Sequence, residues 1–323
     1  MTTIGILIGK QLGEWQRIDA AGNSINPAQA DFDAHPIFGG IADVELDGQA
    51  MVCVPAFYYR AGNVAEGEHA GKKAVWVSAE PAAGFELHPA FRHDGANIGE
   101  FLVGKYQGAA NGEKLGSQPG EMPLTNINFP AMQKRAAARG EGWMLWSIYQ
   151  LAAIQMLALI EIGTPDMRLA VGAGNTGGYK VLPVDSDSVV EASYRGITGL
   201  WGNVWQMVDG LQASEDREYR VWDANGNRSY IDTEVEIPGD GWVRRRATES
   251  GQGFDLGALF LPATTRDERE DSAFGNYFWS YREGVAYHGG YYGYGANAGL
   301  FYLNVADAAS YSYTYLGGRL AKV

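Results

Sequence analysis

The chain has 323 residues, 46% hydrophobic and 20% charged, which is enough apolar material for a packed core. A net charge of -13 and a pI near 4.8 argue against a nucleic-acid or anionic-membrane partner, because phosphate surfaces are gripped by basic patches. The lone cysteine, Cys53, excludes a disulfide within these residues, so burial and hydrogen bonding must hold the fold.

In chain order, residues 1–40 read as an N-terminal attachment segment: a short apolar strand, then Asp, Asn, Pro and Ala in loop-like order. Residues 41–323 read as the main unit. No basic region precedes the apolar run at 4–8, which is too short for a signal peptide, and no segment reaches the length of a membrane span. The expectation is a product made in the cytoplasm without a signal peptide and without membrane insertion. Asp31 and Asp33 would form a carboxylate pair on a strand, but their surroundings are loop-like. Strands are predicted over 51–60, 73–78 and 101–106, with a loop over 84–91. Cys53, in the first of these, reads as an inert core residue.

A polar connector over 107–128 leads to a short helix over 129–138 and then to the main helical run, 143–162. Ser147 is its N-cap, and Gly163 with Pro165 closes it. The run is apolar nearly all round and must be buried on most of its circumference, while Gln150, Gln155 and Glu161 speak against a membrane span. Next comes a literal GxGxxG at Gly172, Gly174 and Gly177. A dinucleotide site needs a helix directly afterwards, whereas 179–183 reads as a strand ending in Pro183.

Residues 219–222 and 228–231 flank a turn at 223–227 and predict a hairpin. The turn imitates a calcium loop through Asp223, Asn225, Asn227 and Glu234, but Arg228 stands where glycine is needed and neither flank is helical. Asp185 and Asp187 read as a solvated turn, and residues 244–246 as a solvated or locally paired strand end. The histidines are dispersed without zinc spacing, and no GxSxG, P-loop or kinase signature occurs. No catalytic residue, metal or cofactor is therefore assigned. Strands on either side of one helical block predict an α+β fold with an antiparallel sheet.

Ten of the eighteen tyrosines fall between Tyr277 and Tyr315, interleaved with Gly, Ser, Asn and Ala. Recognition surfaces use that palette, because tyrosine offers large contact area at low rotamer cost while the small polar residues adapt their hydrogen bonds. A tyrosine-rich sheet edge with hydroxyls facing water has the same composition.

Residues 199–206, GLWGNVWQ, resemble an element of the C-type-lectin-like fold in its formylglycine-generating-enzyme branch. Gly289-Gly290, the segment 297–301 and Gly317-Gly318-Arg319 resemble the ending of that branch. The segments 54–59, 87–91 and 142–145 resemble a set found in phage tail-fibre and tail-tip proteins, so the resemblance spans about 44–323. It implies short antiparallel strands, one long buried helix and long glycine-rich loops. Trp201 and Trp205 would lie in the core, Gly289 and Gly290 would allow a close strand approach, and Arg319 would be a buried anchor.

The oxidase branch uses a C-terminal cysteine pair that is absent from this sequence. The branch of phage receptor-binding proteins and retroelement-diversified variable proteins instead displays side chains on a fixed backbone. On that branch ligand contact would fall to Tyr287, His288, Tyr291, Tyr292, Tyr294, Asn304, Asp307, Tyr311, Tyr313 and Tyr315. The resemblance then implies a virion tail-tip protein, a homotrimer attached to other phage tail proteins, that binds a bacterial surface receptor such as a pilus or a glycan. Two alternatives are a degenerate oxidase-like or glycan-processing protein, and a structural baseplate or decoration protein with its tyrosines buried between subunits.

Overall fold

The computed structural model describes residues 2–281 and 283–323. The helix Ile148–Ile162 runs through its core. The Ser147 hydroxyl accepts from the Gln150 amide, and the Gln150 side chain accepts in return from Ser147 N at 2.9 Å. Gly163 ends the helix in the left-handed region, with φ 81°. Every residue from Ile148 to Glu161 is buried, because leucine, isoleucine, alanine and methionine occupy all faces. The polar exceptions have internal partners. Gln155 Nε2 donates to the Leu300 carbonyl at 2.7 Å, and Glu161 accepts from Arg195, the Tyr194 hydroxyl and Gln29. No helix among the described residues is long and apolar enough to cross a membrane.

The strands form three larger sheets, and the helix packs on Thr3–Leu7 of the first and Trp205–Ala213 of the third. The first runs Gln16–Ile18, Thr3–Leu7, Lys73–Ser78, Tyr58–Asn63, Glu86–Leu87, and the second Trp143–Leu145, Leu320–Lys322, Glu100–Gly104, Gln49–Pro55, Ala42–Leu46; both are antiparallel throughout. In the third, Trp205–Ala213 pairs with Gly284–His288, which pairs with Leu303–Asp307. Two parallel pairings complete its centre: Leu303–Asp307 with Tyr277–Ser280, and Trp205–Ala213 with Leu316–Gly318. The fold is α+β, with short, mainly antiparallel strands, one long buried helix and long glycine-rich loops.

Three sequence expectations are corrected. Residues 1–40 are not set apart: Thr3–Leu7 pairs along its length with Lys73–Ser78, and Ile4, Ile6, Phe32 and Phe38 are buried in the common core. The run 51–60 breaks at Ala56 and Phe57 into two strands that belong to different sheets. Residues 179–183 form no strand. Within residues 244–246, Arg246 is buried and not solvated, and it is the locally paired alternative that holds for it: its Nη1 donates to the carbonyls of Gly257 and Leu259, and its guanidinium lies 5.3 Å from the Phe260 ring centre.

The predicted hairpin is present as Glu218–Trp222 and Tyr230–Glu236, and in its turn Asp223 accepts from the Asn225 and Asn227 side chains. Asp33 sits in the short helix Gln29–Asp33 and pairs with Arg195 at 2.8 Å, so it does not act with Asp31 as a carboxylate pair. Four tryptophans fasten loops through their indole nitrogens: Trp15 to Ala273, Trp76 to Asp19, Trp146 to Met207 and Trp201 to Gly172.

Candidate functional site

The segment 199–206 is the join on which the site is built. Asn203 adopts φ 65°, and its fully buried side chain uses both ends. Oδ1 accepts from Asn175 Nδ2 at 2.9 Å and Leu182 N at 2.8 Å, while Nδ2 donates to Gln107 Oε1 at 2.8 Å and the Leu182 carbonyl at 3.0 Å. Four bonds exhaust what an amide offers, so the loop 172–182 is held against the core. Backbone bonds add the third partner. Gly202 N donates to the Gly289 carbonyl, Tyr292 N to the Asn203 carbonyl, and Gly295 N to the Thr176 carbonyl at 2.7 Å. Gly289, at φ 90°, must be glycine, since a Cβ there would stand 2.9 Å from the Leu200 carbonyl oxygen.

Arg319 closes the same join from below. It is fully buried and has no carboxylate partner among the described residues; Nε donates to Gln206 Oε1 at 2.8 Å, and its other N–H groups to the carbonyls of Gly104, Lys105, Thr198 and Gly199. Burial pushes its pKa down to about 9. The anchor role implied by the resemblance is therefore present in full.

Above this frame the aromatic residues form two layers. Trp205 is the centre of the inner one, nearly parallel to Tyr287 (centroids 6.1 Å apart, 8°) and Tyr302 (6.2 Å, 14°). Tyr291, Tyr294 and Tyr315 set ring edges against Trp205 at 5.3, 5.2 and 5.5 Å. The outer layer spreads from there: Tyr315 stacks on Tyr291 at 4.2 Å, and Tyr313, Tyr311 and Tyr292 extend the cluster toward solvent. Burial raises the phenols of Tyr291, Tyr294 and Tyr315, that of Tyr294 to about 12, so these hydroxyls are uncharged at neutral pH.

This layering corrects three of the ten predicted contacts. Tyr287 and His288 are completely buried and Asn304 nearly so, because the strands that carry them are covered on both faces. Tyr287 lies under Trp205. His288 points to the opposite face, where Nε2 meets the Leu300 carbonyl at 2.8 Å and its ring meets Trp146; burial lowers its pKa to about 4. Asn304 hydrogen-bonds Asp307 at 3.0 Å. Tyr291, Tyr292, Tyr294, Asp307, Tyr311 and Tyr315 are half-buried, and Tyr313 is exposed.

Asp307 is the acidic member of the group, and burial raises its pKa. A carboxyl raised in the folded state favours folding when protonated, so its contribution is lost as pH rises from the unfolded value of about 3.9 through the folded one. Asp307→Asn is expected to raise the melting temperature at pH 7 and to leave it unchanged at pH 3. Thermal unfolding at the two pH values checks this, and equal effects at both would contradict it.

The outer tyrosines form one wall of an open depression of about 650 Å³. Tyr291, Tyr292, Gly293, Tyr313, Thr314 and Tyr315 line that wall. The opposite wall, Thr176 to Tyr179, is the end of the GxGxxG loop, and sequence reasoning missed it. The signal was there in the composition, since Asn, Thr, two glycines and a tyrosine repeat the palette of the C-terminal stretch. Cys53 lies in another sheet; its thiol donates to Glu100 at 3.1 Å and is pushed up to about 12, chiefly by burial.

No protein-family model and no curated protein sequence matches the chain. Among solved structures it is similar to Treponema denticola variable protein 1, at 12% identity and TM-score 0.38, over 87% of this chain and 98% of that one. It is also similar to the Major Tropism Determinant M1 variant (13%, 0.33, 99% and 71%) and to PvdO from Pseudomonas aeruginosa (10%, 0.33, 88% and 98%).

Proposed function

We propose that this protein is a C-type-lectin-like receptor-binding protein of a phage or prophage tail-fibre tip, attached to other tail proteins as a homotrimer. Its tyrosine surface binds a bacterial surface receptor. One observation carries the reading: a rigid, hydrogen-bonded frame presents a half-exposed aromatic layer around an open depression. Large amphipathic rings on a preorganised backbone lose little entropy on binding, and several copies on one particle turn a weak contact into avidity. The reading assigns binding without catalysis. The high pKa of the Cys53 thiol suits neither a nucleophile nor an oxidase cysteine.

The test uses fluorescently labelled protein on a panel of bacterial strains. Saturable adsorption to at least one strain is expected, and the double variant Tyr292→Ala, Tyr313→Ala should weaken it by at least about tenfold. These two rings make no contact with Trp205, so the melting temperature should move by no more than about 2 °C. Sedimentation should give three times the 35.0 kDa chain mass. Adsorption that survives the double substitution would place the contact surface elsewhere, and the absence of adsorption to every strain would refute the function.

A further inference from the structure

We infer that the depression between the loop 172–182 and the outer tyrosines takes an uncharged carbohydrate, with Tyr179 as the residue that closes on it from the second wall. This rests on the receptor-binding reading and narrows it to a ligand class and to a residue outside the C-terminal stretch.

The second wall is a built feature. Its base is fixed by the Asn175–Asn203 bond, by Trp201 Nε1 on the Gly172 carbonyl and by Gly295 N on the Thr176 carbonyl. Gly178 is where the walls meet: a Cβ there would stand 2.3 Å from Asn175 Oδ1 and 3.8 Å from the Tyr292 Cβ. A held base and a glycine pair then lift Tyr179 clear of the protein, 97% exposed. A ring that open contributes almost nothing to the fold. It lines the same depression as Tyr292, Tyr313 and Tyr315 and offers a further aromatic face to whatever enters.

The lining decides the ligand's chemistry. None of the described residues that line the depression carries a charged side chain; the cations beside it are Lys180, next to Tyr179, and Arg168, whose Nη2 is spent on Thr176 Oγ1 at 3.2 Å. An anionic ligand meets no arginine or lysine in the lining itself, and a cationic ligand meets no carboxylate. Tyrosine and threonine hydroxyls each donate and accept, as sugar hydroxyls do, while ring faces suit the apolar C–H faces of a pyranose. A polypeptide fits less well. The lining residues lie in loops, not in strands, so no sheet edge is offered for strand addition. The depression is open, without the enclosed apolar socket that holds a peptide anchor. Its volume of about 650 Å³ matches a small-ligand site, hence a few sugar rings.

The experiment titrates the purified protein with soluble neutral hexose and N-acetylhexosamine oligosaccharides, and with matched oligosaccharides bearing uronic or sialic acid, following binding by calorimetry. Neutral members should bind, acid-bearing ones should bind no better, and Tyr179→Ala should weaken binding about five- to tenfold with unchanged melting temperature. Stronger binding of the acid-bearing set, or binding indifferent to Tyr179→Ala, overturns the inference. Adsorption to cells supplies the second arm. Loss of adsorption after protease treatment of the cells, with survival after periodate, identifies a polypeptide receptor; the inference then falls while receptor binding stands. Neutral-sugar binding that needs Tyr179, in a protein that adsorbs to no cell, leaves the inference standing and refutes the receptor reading.

Discussion

Arg319→Leu is expected to destabilise the protein by about 3–5 kcal/mol, the loss associated with breaking a buried charged hydrogen-bond cluster. All five guanidinium N–H groups are engaged, and four of the acceptors are backbone carbonyls that cannot move away. Leucine fills part of the volume but removes the donors shown for the Thr198 carbonyl and for Gln206 Oε1. Arg319→Lys keeps the charge with fewer donors and no planar fork, so it should also be destabilising. Urea unfolding followed by circular dichroism gives the result: the midpoint should fall with little change in slope. A midpoint unchanged in Arg319→Leu would mean that the join of residues 104–105, 198–199 and 206 holds without its anchor.

The second large effect concerns Trp205. Trp205→Ala removes the ring against which five tyrosines rest and should cost about 3–5 kcal/mol through the cavity it leaves. Receptor adsorption should vanish with it, because Tyr291, Tyr294 and Tyr315 lose the surface that sets their orientation. Trp205→Phe is the informative control. The indole Nε1 is buried and has no hydrogen-bond partner among the described residues, so phenylalanine sacrifices no bond there. Its cost should stay below about 1.5 kcal/mol, with adsorption retained. If phenylalanine proved as damaging as alanine, the indole nitrogen would have a role that packing does not explain.

Much of the frame could be read from the sequence because its signals are local. Ser147, Gln150 and Gly163 announce the helix ends within a few residues, and the turn at 223–227 announces its hairpin. The motif 199–206 and Arg319 were legible through their resemblance to a known arrangement, although their bonding to residues 104 and 105 was not. Pairings across long separations left no mark: nothing in Thr3–Leu7 names Lys73–Ser78 as its neighbour. The division of the tyrosines was illegible for a related reason. Tyr287 and Tyr292 look alike in composition, and only the stacking of Tyr287 on Trp205 and the solvent around Tyr292 separate frame from surface. The loop 172–182 is illegible as a wall of the site because its spacing resembles a nucleotide fingerprint, while its position depends on an amide network between Asn175, Asn203 and Gln107.

Leu320–Lys322 lies inside the second sheet, between Trp143–Leu145 and Glu100–Gly104, with Arg319 beside it. Ribosomal synthesis is vectorial, and this strand emerges after every other strand of that sheet. Until it arrives, Trp143–Leu145 and Glu100–Gly104 each present a bare edge next to apolar side chains, the kind of edge that pairs with other chains. In the order of synthesis this sheet therefore cannot close before Leu320–Lys322 emerges, and the third sheet cannot take up its parallel pairing with Trp205–Ala213 before Leu316–Gly318 does.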